Sequence, residues 1–228
     1  MLELFKNPNV FFRNKMNEPE DLKKPFYIIT GLWIARLFML TMILIIFASN
    51  YSSKSAVGFS SISSDTYAFL IVILLIVLIV SFLGILFLWI TTAGVFYLFS
   101  AFFRGTGSFK RVLEFTSYGF IPYIIDTITS PLYFWVISSK IDLISMIETM
   151  DQTGDTSVFV NELLYANLPL NILSTLVSVA LFILSLYIWI NGLKSGRSLS
   201  TKRATLAVGI PAVLYVIYRG IMFLLYFI

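Results

Sequence analysis

Three ionisable side chains fall inside long apolar runs: Arg36, Asp126 and Arg219. A charge near the centre of a bilayer costs about 2.5–3.5 kcal/mol even on lenient insertion scales, unless it is paired or hydrated. The simplest arrangement is an inward-facing cluster with Asp126 between the two arginines. One positive charge is then left over, which a bound anion, water, or carbonyls freed near Pro122 and Pro131 would offset. Two kinds of chemistry follow. One is a polar site for an anionic or lipid substrate, or for a transport step. The other is a buried ion pair that fixes helix register and binds nothing. Asn171, Tyr123, Tyr215 and Tyr218 either extend this polar network or pack as ordinary side chains.

A second basic group lies between the runs: Arg104, Lys110, Arg111, Lys202 and Arg203. Ser108 and Ser200 are placed to N-cap the helices that follow, which puts Lys110, Arg111, Lys202 and Arg203 in first turns. Cations there oppose the helix dipole, and anionic lipid headgroups on the cytoplasmic face would relieve the conflict. The plainer alternative is a topology signal with no bound lipid. Gly105-Thr106-Gly107-Ser108-Phe109-Lys110 is not a nucleotide loop, because a P-loop has four residues between its glycines, then Lys, after a strand.

Other chemistry is excluded by composition. There is no Cys, so no disulfide, thiolate catalysis or cysteine-ligated metal, and no His, the commonest general base and metal ligand. No nucleophile–base pair is evident, so the expectation is a non-enzymatic protein without cofactor or metal. Five acids between residues 138 and 167 (Asp142, Glu148, Asp151, Asp155 and Glu162) fit no calcium-loop spacing and read as a solvated acidic surface. Nucleic-acid binding is not expected, since the basic residues sit in short loops.

The elements that must position these residues are membrane helices. Hydrophobic residues make up 58% of the chain and charged residues 12%, with mean hydropathy +0.90. A soluble domain carries about twice that charge, so the bilayer must solvate most of this surface. Five runs approach the roughly 20 residues needed to cross: 26–48, 67–103, 115–137, 168–190 and 204–227. The second is too long for one perpendicular crossing and too short for two, so it reads as one tilted or projecting helix. The fold class is thus all-α, a five-helix transmembrane bundle, with counts of four to six compatible with the same runs. Residues 1–25 form an N-terminal arm and 26–228 the membrane domain.

Orientation follows from Lys and Arg. Lys6, Arg13, Lys15, Lys23 and Lys24 precede the first run; Arg104, Lys110 and Arg111 follow the second; Lys194, Arg197, Lys202 and Arg203 follow the fourth. Only Lys54 and Lys140 lie on the opposite side, twelve against two. The N-terminus is therefore expected in the cytoplasm and the C-terminus outside. The first run reads as a signal anchor rather than a cleaved leader. In the arm, Asn7-Pro8 marks a helix start, and Val10, Phe11 and Phe12 beside Arg13 and Lys15 suit a short interfacial helix. Weakly amphipathic helices are expected near residues 141–154 and 158–164, and Asn50-Tyr51-Ser52 is a sequon pressed against the first span.

Phe102-Phe103-Arg104-Gly105-Thr106-Gly107-Ser108-Phe109-Lys110, followed by Tyr118-Gly119-Phe120-Ile121-Pro122, resembles the signature of the Yip (Ypt/Rab-interacting protein) membrane-domain family. Asn7-Pro8…Phe11-Phe12 and Trp189…Gly192-Leu193-Lys194…Leu199-Ser200…Lys202-Arg203-Ala204 resemble its prokaryotic branch. The resemblance implies a five-span scaffold that organises membrane lipids or partner proteins, in trafficking or in the envelope. It implies the cell membrane for a prokaryotic protein and early secretory membranes for a eukaryotic one. Eukaryotic members bind Rab-type GTPases. Their Asp-Leu-Tyr-Gly-Pro motif is missing here, so that binding is not carried over. The expected partners are anionic lipids on the cytoplasmic face, with a protein partner or a second copy of the chain. The alternative function is a small transporter or channel using Arg36, Asp126 and Arg219.

Overall fold

A computed structural model describes residues 2–52, 64–138, 149, 151–152, 165 and 167–227. The long elements in them are all α-helices: α1 (Leu2–Lys6), α2 (Pro8–Lys15), α3 (Lys23–Ser52), α4 (Ser64–Phe102), α5 (Phe109–Tyr118), α6 (Ile121–Ser138), α7 (Leu168–Gly196) and α8 (Thr201–Phe227). No strand occurs among the described residues. Most of the stretch 141–154, all of 158–164 and most of the acidic loop, where further helices are expected, lie outside them.

Among the described residues, four helices contain stretches long and apolar enough to cross a membrane: Lys23–Ile46, Val72–Phe102, Leu168–Gly196 and Thr201–Met222. In Val72–Phe102, only 11% of the most apolar window is buried inside the protein. The rest presents Leu, Ile, Val and Phe outward. Water cannot solvate such a surface, and lipid can. The chain is an integral, multi-pass membrane protein.

The second apolar run is a single helix, as its length requires. At 1.5 Å per residue, α4 extends about 58 Å, far beyond the roughly 30 Å of a hydrocarbon core. The third run, 115–137, behaves differently and is split. Helix α5 ends at Tyr118, Gly119 is its C-cap, and α6 begins at Ile121 with Pro122 in its first turn. Proline tolerates that position because its missing N–H would have no partner there. The end of α5 is fixed from outside as well: the Trp189 indole N–H donates to the Thr116 carbonyl at 2.8 Å, and that of Trp89 to Leu113 at 2.9 Å. Thr116 lies in the last turn, where carbonyls lack a full intrahelical set of partners, and its carbonyl accepts the Gly119 N–H at 3.2 Å as well. A Cβ at position 119 would overlap the Trp189 ring, so only glycine fits.

The described chain forms two compact units. One comprises Met1–Leu32, Gly84–Ile124 and Ala180–Ile228, the other Trp33–Leu83 and Ile125–Val179. Within the second, the Trp33 indole donates to Ser81 Oγ at 3.0 Å and stacks edge-on against Phe82. The first holds the aromatic core, where Leu4, Phe12, Ile28, Phe115, Tyr118 and Ile188 pack together.

Asn7 caps α2, accepting the Val10 N–H, with Pro8 at the first position. Its aromatic face is not spread on a surface, however. Phe12 is fully buried, tilted against Phe115 at 4.8 Å between ring centroids, while Phe11 meets Tyr118 edge-on at 5.2 Å. Gly192 and Gly196 of α7 make room: a Cβ at 192 would stand 3.3 Å from both Phe115 and Phe12. The arm is folded into the protein core, because α5 and α7 present an aromatic and glycine surface that fills better with Phe12 than with lipid.

Candidate functional site

Helices α4 and α7 end alike. Arg104, two residues past α4, has φ 60°, and Ser198, two past α7, has φ 51°. The following amides reach back five residues: Gly105 N–H to the Ser100 carbonyl at 2.8 Å, and Leu199 N–H to Lys194 at 3.0 Å. These are Schellman-type closures, which usually place glycine in the left-handed position. A non-glycine residue held there costs roughly 1–3 kcal/mol, retained only where the surroundings impose it.

The surroundings here are an interlock of the two turns. Arg197 is buried, 3% exposed. Its Nε donates to Ser100 Oγ at 2.9 Å, one terminal nitrogen to the Gly105 carbonyl at 2.7 Å and the other to the Gly107 carbonyl. The guanidinium lies over Tyr97 at 4.2 Å from the ring centre, and the Arg197 carbonyl accepts the Thr106 N–H at 2.9 Å. Both glycines are dictated by this clasp. Gly107 has φ +112°, and a Cβ on it would sit 2.5 Å from the Gly196 carbonyl oxygen; one on Gly105 would sit 2.9 Å from the Ser100 carbonyl oxygen. The Gly-x-Gly pattern is a backbone knot tied by an arginine.

Ser108 closes the knot onto α5, accepting the Arg111 N–H at 3.0 Å and donating its hydroxyl proton to Glu20 of the arm. Arg111 then turns inward and is 6% exposed. It donates to Glu114 Oε2 at 2.7 Å and to the Glu18 carbonyl at 2.7 Å, with Glu20 3.9 Å away and the Phe115 ring beneath it. Glu114 is fully buried; its Oε1 takes no hydrogen bond and lies 3.5 Å from the Lys15 ammonium, which also donates to Glu18. Burial pushes the Glu114 carboxyl above the usual glutamate range, against the opposing pull of Arg111 and Lys15. Lys15 is disfavoured by its own burial, yet the Glu18 hydrogen bond and nearby negative groups hold it above its ordinary value. The hydrogen bond from Lys15 holds exposed Glu18 below the ordinary range.

The residues singled out in the sequence therefore separate. Arg104, Lys110, Lys202 and Arg203 are exposed, and Ser108 and Ser200 cap their helices, the latter accepting the Arg203 N–H at 3.4 Å. Arg111 is corrected from an outward headgroup ligand to an internal one, because its guanidinium is consumed by Glu114, Glu20 and the Glu18 carbonyl. In the other unit, Arg36 is exposed and Asp126 half-buried, and among the described residues they form no ion pair with each other. Asp126 instead accepts the Ser178 hydroxyl at 2.7 Å. Arg219 is exposed on α8. Among the described residues no group of three His, Cys, Asp or Glu could hold a metal.

Arg197 and Glu114 escaped the sequence reading. Arg197 passed as one more loop cation. Glu114 bordered an apolar run without drawing notice, although Arg111 lies one helical turn before it.

A family model described as "Yip1 domain" matches residues 2–223. An uncharacterised protein of Methanocaldococcus jannaschii is 32% identical over 137 residues, 60% of this chain and 89% of the relative, which supports the prokaryotic branch. No solved structure matches. With the profile running from the arm through α8, and the Gly105–Gly107 clasp at its centre, this chain belongs to the Yip1-domain family of membrane proteins.

Proposed function

We propose that this protein is a non-enzymatic five-span scaffold, with its N-terminus and clasped loops in the cytoplasm and its C-terminus outside, that gathers anionic lipids and partner proteins at the cytoplasmic face. The observation that carries this reading is the sorting of charge at the clasp. Arg111, Arg197 and Lys15 are spent inside the protein, whereas Arg104, Lys110, Lys202 and Arg203 stand exposed on the rigid turns those residues build. The fifth span is α6. Its 18 residues extend about 27 Å, close to the thickness of a hydrocarbon core. Arg36, Asp126 and Arg219 belong to this scaffold as intramembrane polar residues, with the Asp126–Ser178 hydrogen bond fixing register in place of a transport site.

The absence of cysteine makes orientation directly measurable. Single variants Asn14→Cys and Ser145→Cys, expressed in intact cells, are treated with a membrane-impermeant maleimide. Labelling of Ser145→Cys alone is expected; labelling of Asn14→Cys alone would reverse the threading and sink the proposal.

The lipid role is tested in mixed-lipid nanodiscs, counting by mass spectrometry the lipids that co-purify. A basic residue near an anionic surface contributes about 1 kcal/mol, so changing Arg104, Lys110, Lys202 and Arg203 together to Gln should reduce anionic-lipid preference at least about tenfold. Raised salt should weaken the wild-type preference too. An unchanged lipid census would discard the lipid role.

A further inference from the structure

An open groove of about 530 Å³ lies where the arm turns into α3, lined by Glu20, Asp21, Leu22, Lys23, Phe26, Tyr27 and Lys110. That size falls within the roughly 300–1,000 Å³ of small-ligand sites. Its lining has an ordered chemistry. Lys23 and Lys110 are exposed ammonium groups on the first turns of α3 and α5. Each opposes the positive end of its own helix dipole, which makes their shared space favourable to an anion. Glu20 and Asp21 are half-buried beside them. Asp21 Oδ1 accepts the Lys23 N–H at 2.9 Å, and Glu20 accepts the Ser108 hydroxyl with Arg111 3.9 Å away, so both carboxylates are held in place, and Asp21 is the one that does not face Arg111. Phe26 and Tyr27, 44% and 71% exposed, continue the groove along the start of the first membrane stretch, Lys23–Ile46.

We infer that this groove is a binding site for one phospholipid with an amine-bearing headgroup, its phosphate held by Lys23 and Lys110 and its ammonium by Asp21 and Glu20. A headgroup carrying both charges matches a site carrying both, whereas a purely anionic headgroup would meet the two carboxylates unfavourably. The apolar chains would leave along Phe26 and Tyr27, at the depth where lipid chains begin. The site adds headgroup selectivity to the proposed lipid role without depending on it. Lys110 is shared with that role; Asp21 is not.

The full-length protein is purified from membranes containing equal amounts of phosphatidylethanolamine, phosphatidylcholine and phosphatidylglycerol, then washed in lipid-free detergent. Retained lipids are counted by mass spectrometry. About one phosphatidylethanolamine per chain is expected, retained several-fold over phosphatidylcholine, whose methylated nitrogen donates no hydrogen bond. Soluble phosphoethanolamine should not displace it, because it lacks the chains. Asp21→Asn keeps the turn to Lys23 yet removes the charge, and should erase the preference over phosphatidylcholine without lowering melting temperature. Lys23→Gln with Lys110→Gln should reduce retention of all three lipids several-fold. Equal retention of the three lipids by wild type, or an unaltered preference in Asp21→Asn, overturns the site. Displacement by phosphoethanolamine would also overturn it, as a soluble-ligand pocket. The anionic preference assigned to Arg104, Lys202 and Arg203 is read separately, from the ratio of phosphatidylglycerol to phosphatidylcholine, so a lost phosphatidylethanolamine preference with that ratio intact overturns this site alone.

Discussion

Replacing Arg111 by alanine is expected to destabilise the protein by about 3–5 kcal/mol, the cost of stranding one member of a buried ion pair. The stranded group is Glu114, with no solvent exposure and only Lys15, at 3.5 Å, left to face it. The melting temperature in detergent should fall accordingly. Two controls separate charge from volume. Adding Glu114→Gln to Arg111→Ala removes the unpaired carboxylate and should restore much of the loss, leaving the packing of the Arg111 stem against Phe115 unrecovered. Acidification should do the same by protonating Glu114.

The sign of that pH effect follows from the raised Glu114 value. A carboxyl whose folded pKa exceeds its unfolded one binds its proton more tightly when folded. Its contribution to stability is fully present below the ordinary 4.5 and is lost as pH rises through the folded value. Without Arg111, one of the pulls that lower this value is gone, so the deficit of Arg111→Ala should shrink between neutral pH and 4.5. Glu18 works in the opposite sense. Its lowered value gives stability that is present above 4.5 and lost below it, so the comparison must stop there. No deficit would mean that Arg111 is not needed inside the core and is free for lipid, and a deficit independent of pH would place the loss in the packing of its stem instead of the Glu114 charge.

Local rules were legible in the sequence, and long-range choices were not. Asn7, Ser108 and Ser200 announce helix starts because a cap depends on neighbours three residues away. The unbroken α4 followed from a run too short to turn back on itself. The split between Tyr118 and Ile121 did not: Pro122 was visible, but Trp189, which occupies the space beside Gly119, lies 73 residues beyond Thr116, whose carbonyl it binds. Lys110 and Arg111 show the same limit more sharply. They are adjacent and both basic, but on a helix they point about 100° apart. The arm packed across α5, together with Glu114 one turn on and Gly196 of α7, buries Arg111, while Lys110 stays outside. Asp126 likewise met a small hydroxyl from a neighbouring run, Ser178, which no charge-matching rule would select. In the Gly105–Gly107 loop the glycines and the capping serine are local features, whereas the tie, Arg197, lies 90 residues from Gly107 and nothing local points to it.

That tie makes Arg197 the second position of large effect. Its guanidinium serves Ser100 Oγ and the Gly105 and Gly107 carbonyls at once while covering Tyr97. Alanine removes all of these. The loop carbonyls can turn toward water, so the expected loss is about 2–4 kcal/mol, less than the sum of three charge-assisted bonds at about 1.5–3 kcal/mol each. Lysine should rescue little, since one ammonium cannot span three acceptors set around a planar fork. The loss should also be local before it is global. Arg104 and Ser198 are held in left-handed backbone by the interlock, and releasing it lets both turns relax. Trypsin should then cut after Arg104 and Lys110 at temperatures where the remaining helices still melt cooperatively. Arg197→Ala and Arg197→Lys should show this cleavage while a surface control, Lys202→Ala, does not. Wild-type protease resistance in Arg197→Ala would show that the Gly105–Gly107 loop holds its shape unaided, and the exposed cations beside it would then owe their placement to something other than this clasp.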